Sequence, residues 1–133
     1  MIKVETSDIE VLKTLNAGDI VSISGTIYTA RDAAHKKIFA LMKDNEPLPF
    51  PLRDSFVYYT GATPAKDGEP YGSCGPTTSK RMDVYTPDML DAGLKGIIGK
   101  GARTRAVIDA IKRNGAVYFV AIGGAGAFYK SAI

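Results

Sequence analysis

The stretch "ARTRAVIDAIKRNGAVYFVAIGGAGA", residues 102–127, decides the fold class. Its first half predicts an amphipathic helix, because Val107, Ala110 and Ile111 recur at helical spacing and an Asn-Gly pair then supplies a stop. Its second half is wholly apolar and predicts a strand in a central position of a covered sheet. A helix followed directly by a buried strand is typical of α/β proteins.

The same alternation continues upstream of this stretch. "KGIIGKG" predicts a brief buried strand, and "DSFVYYTG" predicts another. Between them, Thr86 and Pro87 predict a helix that begins at a threonine cap and ends at Gly93. "RDAAHKKIFALMKDN", residues 31–45, predicts a helix that the proline-rich loop after it ends.

The beginning of the chain predicts one more helix and one more strand. Ser7 and Glu10 form a capping-box pattern, which predicts a short helix over "SDIEVLKTLNAG". "DIVSISGTIYTA", residues 19–30, predicts a single strand interrupted by Gly25. No linker or repeat divides the sequence, so we expect one compact α/β domain over residues 1–133.

Charge and hydropathy narrow the classes of partner. The 17 Lys and Arg residues against 14 Asp and Glu residues give a net charge of +3, and these charges are mixed along the chain. Without a basic arm or an RNA-binding aromatic pattern, nucleic acid is not the expected partner. No apolar run approaches the length of a membrane span, and the first residues lack the layout of a signal peptide. We therefore expect a cytoplasmic protein without membrane contact.

Cysteine content limits the chemistry that one chain can carry. Cys74 is the only cysteine, so this chain by itself can form no disulfide framework, cysteine zinc site or iron–sulfur site. The only histidine, His35, falls on a different predicted element. Cys74 is therefore expected to be a small, half-buried residue rather than a nucleophile.

Three predicted strand-to-helix junctions each carry a cation. Arg31 follows Thr29, Arg81 follows the adjacent Thr77 and Thr78, and Lys100 lies between two glycines. Unpaired N–H groups at helix starts favour anions, and an arginine fork matches a carboxylate. The sequence lacks the spacing of a phosphate-binding P-loop and of a dinucleotide fingerprint. A small carboxylic acid is thus the expected ligand, with solvated surface charges as the alternative.

Four motifs together resemble a known family. "SGTIYTARDAAHKK", "GPTTSKRMD", "GKGAR" and "VAIGGAGAFY", in this order, are similar to the C-terminal domain of class I fumarases. That domain also occurs as the separate β subunit of two-chain fumarases and of L(+)-tartrate dehydratase. The resemblance covers nearly the whole chain from Gly18 onward and implies a swivelling β/β/α domain. The chain ends at Ile133, where many members of the family continue, so a short natural version or a trimmed chain is expected.

The resemblance implies a hydro-lyase whose site is divided between two chains. Family enzymes hydrate fumarate to malate or dehydrate tartrate with a [4Fe–4S] cluster, and three cysteines of the α subunit hold that cluster. A chain with one cysteine would then be the β subunit, active only with a cysteine-bearing α subunit in a hetero-oligomer. A homodimer is the alternative assembly for this chain alone.

The resemblance also implies roles for five residues. The family's substrate-binding positions fall on Arg31, Thr77, Thr78, Arg81 and Lys100, and its catalytic base falls on Thr77. A threonine hydroxyl is a poor base by itself, so a hydrogen-bonding role for Thr77 is the alternative. None of the five is expected to bind metal. The motifs do not distinguish fumarate from tartrate, and a non-catalytic carboxylate- or phosphate-binding module stays open.

Overall fold

The computed structural model describes residues 2–60 and 79–121. The strands are β1 Ile2–Glu5, β2 Val21–Ser24, β3 Tyr28–Thr29, β4 Phe56–Tyr58, β5 Gly96–Gly99 and β6 Val117–Val120. The α-helices are α1 Asp32–Lys43, α2 Thr86–Asp91 and α3 Arg105–Asn114, and two 3-10 helices cover Ile9–Thr14 and Ser79–Met82. The mixed α/β class predicted from the sequence is confirmed.

A four-stranded parallel sheet organises the fold. Its strands follow in the order β3-β4-β5-β6, with Val57 paired to Ile97 and Ile97 paired to Tyr118. β1 and β2 form a separate two-stranded parallel sheet. Because all strands of the larger sheet are parallel, their carboxyl ends meet at one edge, which is where α/β proteins usually bind ligands.

The larger sheet has a hydrophobic cluster on each face, because successive strand residues point to opposite sides. On one face, Val57, Tyr59 and Ile97 pack with helical residues such as Ile38 and Leu90. On the other face, the buried members are Val4, Leu12 and Phe56. The helices and the two-stranded sheet therefore cover opposite faces of the four-stranded sheet.

Helix α3 agrees with its sequence pattern. Val107 and Ala110 are buried, Ile111 is partly buried, and the helix ends at Gly115 in the left-handed conformation, with φ of 62°.

Among the described helices, none is long and apolar enough to cross a membrane.

The cap predicted for helix α2 is wrong in detail. Thr86 is the first residue inside the helix, and Tyr85 occupies the cap position. The Thr86 hydroxyl instead donates to the Met82 carbonyl at 2.8 Å. The predicted end is confirmed, since the helix closes at Ala92 and Gly93 follows with φ of +115°.

Two predictions for the first thirty residues are wrong. Residues 19–30 do not form one strand, because Gly25 adopts φ of +121° and the chain passes from β2 in one sheet to β3 in the other. A Cβ atom at this glycine would collide with the Thr6 side chain. The capping box is not formed either: the segment is a 3-10 helix whose cap, Asp8, makes no side-chain cap hydrogen bond.

The central position predicted for the last strand is also wrong within the described chain. β6 is the edge strand of the larger sheet, and Val120 is 69% exposed. The strand is apolar for another reason. Tyr118 packs against the helical cluster and Phe119 against the opposite cluster, so both faces of β6 meet apolar neighbours.

Candidate anion-binding site

The carboxyl edge of the larger sheet collects the predicted cations. Arg31, at the cap of α1, follows β3 after one intervening residue, and Lys100 follows β5 directly. The 3-10 helix Ser79–Met82, which carries Arg81, contacts both of these segments. Three separate parts of the chain therefore meet at this edge, and each carries one of the predicted cations.

Arg31 has extended backbone geometry immediately before α1, and its carbonyl is held by His35. That carbonyl accepts the backbone N–H of His35 at 2.9 Å and its ring Nδ1 at 2.8 Å. Because a carbonyl only accepts, Nδ1 must carry the proton, which leaves Nε2 as an acceptor. His35 is fully buried beside the Tyr59 ring. It fixes the backbone of Arg31 from inside the core.

Burial lowers the pKa of His35 below its usual value of 6.5, and the positive charge of Arg103 lowers it further. The hydrogen bond to Arg31 and the charge of Asp32 oppose this shift without cancelling it. His35 Nε2 has no hydrogen-bond partner among the described residues. The folded chain therefore holds this histidine in its neutral form at neutral pH.

The free energy of unfolding is expected to fall as the pH is lowered below 6.5, the usual pKa of His35. Below that value the unfolded chain gains a proton that the folded chain does not bind. The loss is at most about 1.4 kcal/mol per pH unit and ends at the lower pKa of the folded state. Urea unfolding between about pH 7.5 and 5.5 measures it, above the range in which most carboxylates titrate.

The matched control for this measurement is His35→Gln, which removes the only histidine of the chain. Its free energy of unfolding should be nearly independent of pH over the same window. Equal pH dependence in the two proteins would contradict the assignment of a lowered pKa to His35.

Arg81 connects the 3-10 helix to the first turn of α1. Its guanidinium lies 3.5 Å from the carboxylate of Asp32, and the two side chains are 55% and 49% exposed. Exposed ion pairs of this kind contribute little to stability. Asp32 also matches the positive end of the helix dipole, so it has a structural reason to be there. The pair brings Arg81 close to the segment that carries Arg31.

A hydrogen-bonded clasp joins the 3-10 helix to the loop after β5. The Ser79 N–H donates to the Lys100 carbonyl at 3.0 Å, and the Lys100 N–H donates to Ser79 Oγ at 3.2 Å. Tyr118 from β6 completes it: its hydroxyl lies 2.8 Å from Ser79 Oγ and donates to the Gly101 carbonyl at 2.8 Å. Ser79 is fully buried by these contacts.

Gly99 makes this clasp possible. A Cβ atom at this position would collide with Ser79 Oγ and would lie 3.0 Å from the ring of Tyr59. A side chain here would push the 3-10 helix away from the end of β5. The glycine before Lys100 therefore serves the packing of two segments of the site.

Sequence reasoning missed a buried ion pair next to the clasp. Arg103 and Asp83 have side chains only 2% and 4% exposed, and Arg103 Nε donates to Asp83 Oδ1 at 2.7 Å. The other carboxylate oxygen of Asp83 accepts the Thr104 N–H at 2.7 Å. Both residues lie inside the quoted motifs, but nothing in their linear pattern indicates that they pair across 20 positions.

Some predicted residues lie outside the described part of the chain. Thr77, Thr78 and Cys74 all fall in the interval 61–78, so their predicted roles stay predictions. Thr77 and Thr78 immediately precede Ser79, the residue of the clasp. Within residues 2–60 and 79–121, no group of three or more His, Cys, Asp or Glu side chains is arranged to hold a metal ion.

An apolar groove of about 540 Å³ lies next to the same edge, on the face of the larger sheet that the two-stranded sheet covers, and Thr29, Tyr58 and Val120 at the ends of three strands contribute to it. Its walls come from β2, from the segment after Gly25 and from the neighbouring strands, with Ile23, Ile98 and Phe119 among them. None of the lining residues that the structure describes is charged. The apolar groove does not match an anion, so the candidate anion-binding site is the part of the edge that carries Arg31, Arg81 and Lys100.

Comparison with known proteins identifies the family. The family model described as Fumarase C-terminus matches residues 1–133, and the chain belongs to this family. The resemblance inferred from the four motifs is thereby confirmed.

Individual relatives come from hydro-lyases. The chain is 38% identical over 125 residues to a protein of Methanocaldococcus jannaschii named "Putative L(+)-tartrate dehydratase subunit beta", covering 92% of this chain and 64% of that protein. It is 42% identical over 106 residues to the aerobic class I fumarate hydratase of Escherichia coli K12, and the match covers 78% of this chain and 19% of that enzyme. It thus spans under two thirds of the first relative and about a fifth of the second.

Proposed function

We propose that this chain is the β subunit of a two-chain iron–sulfur hydro-lyase. Fumarate hydratase is the activity we favour, with L(+)-tartrate dehydratase as the alternative. The observation that carries the proposal is that Arg31, Arg81 and Lys100 lie on three segments that contact one another at one sheet edge, in a member of the Fumarase C-terminus family. Both substrates present two carboxylates, which is the chemistry that such an edge recognises.

The arrangement of layers supports the swivelling β/β/α fold that we infer for the domain of residues 1–133. The two-stranded sheet and the helices lie against opposite faces of the four-stranded sheet, as a β/β/α order requires. A swivelling domain moves as a unit relative to its partner. Such motion suits a β subunit that closes over a substrate held by a second chain.

In the proposed mechanism this chain supplies the fixed cations. Addition or removal of water next to a carboxylate builds negative charge on that carboxylate in the transition state. Arg31, Arg81 and Lys100 stabilise this charge, and they do so with little reorganisation if the protein already holds them in place. The contacts of His35 with Arg31 and of Ser79 with Lys100 provide that support.

Thr77 and Thr78 complete the proposed substrate loop. Their hydroxyls donate to substrate oxygen atoms, and Thr77 lies nearest the carbon that exchanges a proton. If Thr77 acts as the base, Arg81 or Lys100 must lie close enough to favour its alkoxide form.

An iron–sulfur cluster does not fit this chain. It has one cysteine, whereas a [4Fe–4S] cluster requires several thiolate ligands, and no metal-binding group is present among the described residues. We therefore assign the cluster to the cysteine-bearing α subunit, with which this chain forms a hetero-oligomer. This chain's residues then bind and orient the substrate.

Reconstitution tests the proposed function. The purified chain alone is expected to be colourless and to turn over neither fumarate nor L(+)-tartrate. The same chain mixed anaerobically with its α subunit, iron and sulfide should gain hydro-lyase activity, and the preferred substrate identifies the enzyme. Turnover by the chain alone without metal would contradict the divided site. Dicarboxylate binding without turnover in the complex would favour a non-catalytic module.

Thr77→Val in the same complex separates the two roles of this residue, because it keeps the shape and removes the hydroxyl. A hydroxyl that acts only in the transition state gives an equal fall in kcat and kcat/KM. One that only binds gives a raised KM with kcat unchanged. Unchanged values of both constants would reject either role.

A further inference from the structure

We propose that Arg103 is a positioning residue, which locks the segments 79–83 and 99–104 together and so fixes Arg81 relative to Lys100. The part of this inference that concerns substrate rests on the proposed function. The mechanical part, the locking of two segments, concerns the chain alone.

Arg103 donates to three residues in two other parts of the chain. Its Nε donates to Asp83 at 2.7 Å, and its Nη2 donates to the Tyr59 hydroxyl and to Thr86 Oγ1, both at 3.1 Å. These acceptors lie after β4, after the 3-10 helix and at the start of α2. One guanidinium therefore ties the loop after β5 to the end of the adjacent strand and to the chain that follows Arg81.

Two tyrosine rings also hold the guanidinium. Its central carbon lies 5.1 Å from the ring centroid of Tyr59 and 4.8 Å from that of Tyr118. Contacts of a cation with aromatic rings at these distances are attractive, and they are stronger when water is excluded. Since Tyr118 is also part of the clasp with Ser79, the ion pair and the clasp share one side chain.

The pair of Asp83 and Arg103 restrains two of the proposed substrate-binding cations, because it lies close to them in the sequence. Asp83 lies two residues after Arg81, and Arg103 lies three residues after Lys100. The Ser79–Lys100 hydrogen bonds join the same two segments at their other ends. With a fastening at each end, neither segment is able to slide past the other without breaking a buried contact.

Arginine is required at this position for physical reasons. Its planar fork satisfies Asp83, Tyr59 and Thr86 at once. Lysine places its donors on a single nitrogen and lacks the flat surface that lies against the rings. Arg103→Lys therefore keeps the charge while it removes the multiple connection.

The test compares Arg103→Lys with Arg113→Lys. Arg113 also makes two hydrogen bonds to one carboxylate, that of Asp91, at 2.9 and 2.7 Å, but this pair is about half exposed on the surface. In the reconstituted complex, Arg103→Lys should lower kcat/KM by about ten- to a hundredfold, as small misplacements of binding groups do. Arg113→Lys should behave as the wild type.

A double-mutant cycle distinguishes positioning from a merely structural role. If Arg103 acts through Arg81, then Arg81→Ala should lower kcat/KM much less in the Arg103→Lys background than in the wild type. The two fold-losses should differ by about tenfold or more. Losses that simply multiply would overturn the proposal, because Arg103 would then affect the enzyme without acting through Arg81.

Amide hydrogen exchange on the chain provides a readout independent of activity. Arg103→Lys should increase exchange by about tenfold or more at Ser79, Lys100 and Thr104, while the amides of α3 keep their protection. Unchanged exchange at the three amides, or an equal increase throughout, would overturn the lock. A wild-type complex without hydro-lyase activity refutes the proposed function alone, because exchange still tests the lock. If Arg103→Lys does not fold, Asp83→Asn is measured in the same way.

Discussion

Replacement of Arg81 by alanine is expected to lower kcat/KM of the assembled enzyme by about ten- to a hundredfold. A hydrogen bond to a charged group contributes about 1.5–3 kcal/mol, and this contribution is lost when the guanidinium is removed. Arg31→Ala and Lys100→Ala should act in the same direction. Steady-state kinetics with the preferred dicarboxylate measures all three variants.

Stability measurements separate this effect from misfolding. The pair between Arg81 and Asp32 is about half exposed, so its loss should leave the unfolding midpoint in urea nearly unchanged. Lys80→Ala is the matched control, because Lys80 is the exposed neighbour of Arg81 in the same 3-10 helix. Wild-type kinetics in Arg31→Ala, Arg81→Ala and Lys100→Ala alike would place the anion site elsewhere.

Asp83→Ala is expected to reduce the free energy of unfolding by about 3–5 kcal/mol, the usual cost of removing one partner of a buried ion pair. The substitution leaves the Arg103 guanidinium in a site that is 2% exposed, without its only carboxylate partner among the described residues. It also removes the acceptor of the Thr104 N–H at the start of α3. Equilibrium urea unfolding of the isolated chain measures the loss.

Asp91→Ala is the control for this prediction. Asp91 also pairs with an arginine, Arg113, and it also accepts a hydrogen bond from Asn114, but the pair lies at the surface. Its loss should be clearly smaller than that of Asp83→Ala, because water replaces the missing carboxylate. Equal losses in the two variants would mean that burial does not determine the contribution of the Arg103–Asp83 pair.

The elements predicted best are those with local signals. Helix α3 follows its apolar spacing and ends at the predicted glycine, and β5 forms where "KGIIGKG" indicates. The errors come from tertiary structure. Gly25 reads as an interruption of one strand, although its left-handed backbone directs the chain from one sheet into another. The apolar sequence of β6 indicates that both of its faces contact apolar residues. It does not indicate whether a strand is paired along each of its edges.

The candidate site also has one feature that the sequence could predict and one that depends on tertiary structure. The location of Arg31 and Lys100 at one edge is predictable, because both follow strands and parallel strands bring their carboxyl ends to one edge. The pairing of Asp83 with Arg103 is not, since it depends on how closely two loops pack around a glycine without a side chain. Asp83 and Arg103 lie in the same motifs as the proposed ligand-binding residues, but only the three-dimensional structure shows that they pair.

The order of the strands in the larger sheet bears on how the protein is made. Because β3, β4, β5 and β6 lie side by side in the order of synthesis, each strand emerging from the ribosome finds its neighbour already present. The Tyr118 hydroxyl, which closes the clasp on Ser79 and Gly101, arrives only with the last of these strands. A nascent chain that stops before β6 would have three of the four described strands of this sheet, but Ser79 and Gly101 would lack their contacts with Tyr118. The proposed anion-binding edge is therefore completed only after β3, β4 and β5 have been made.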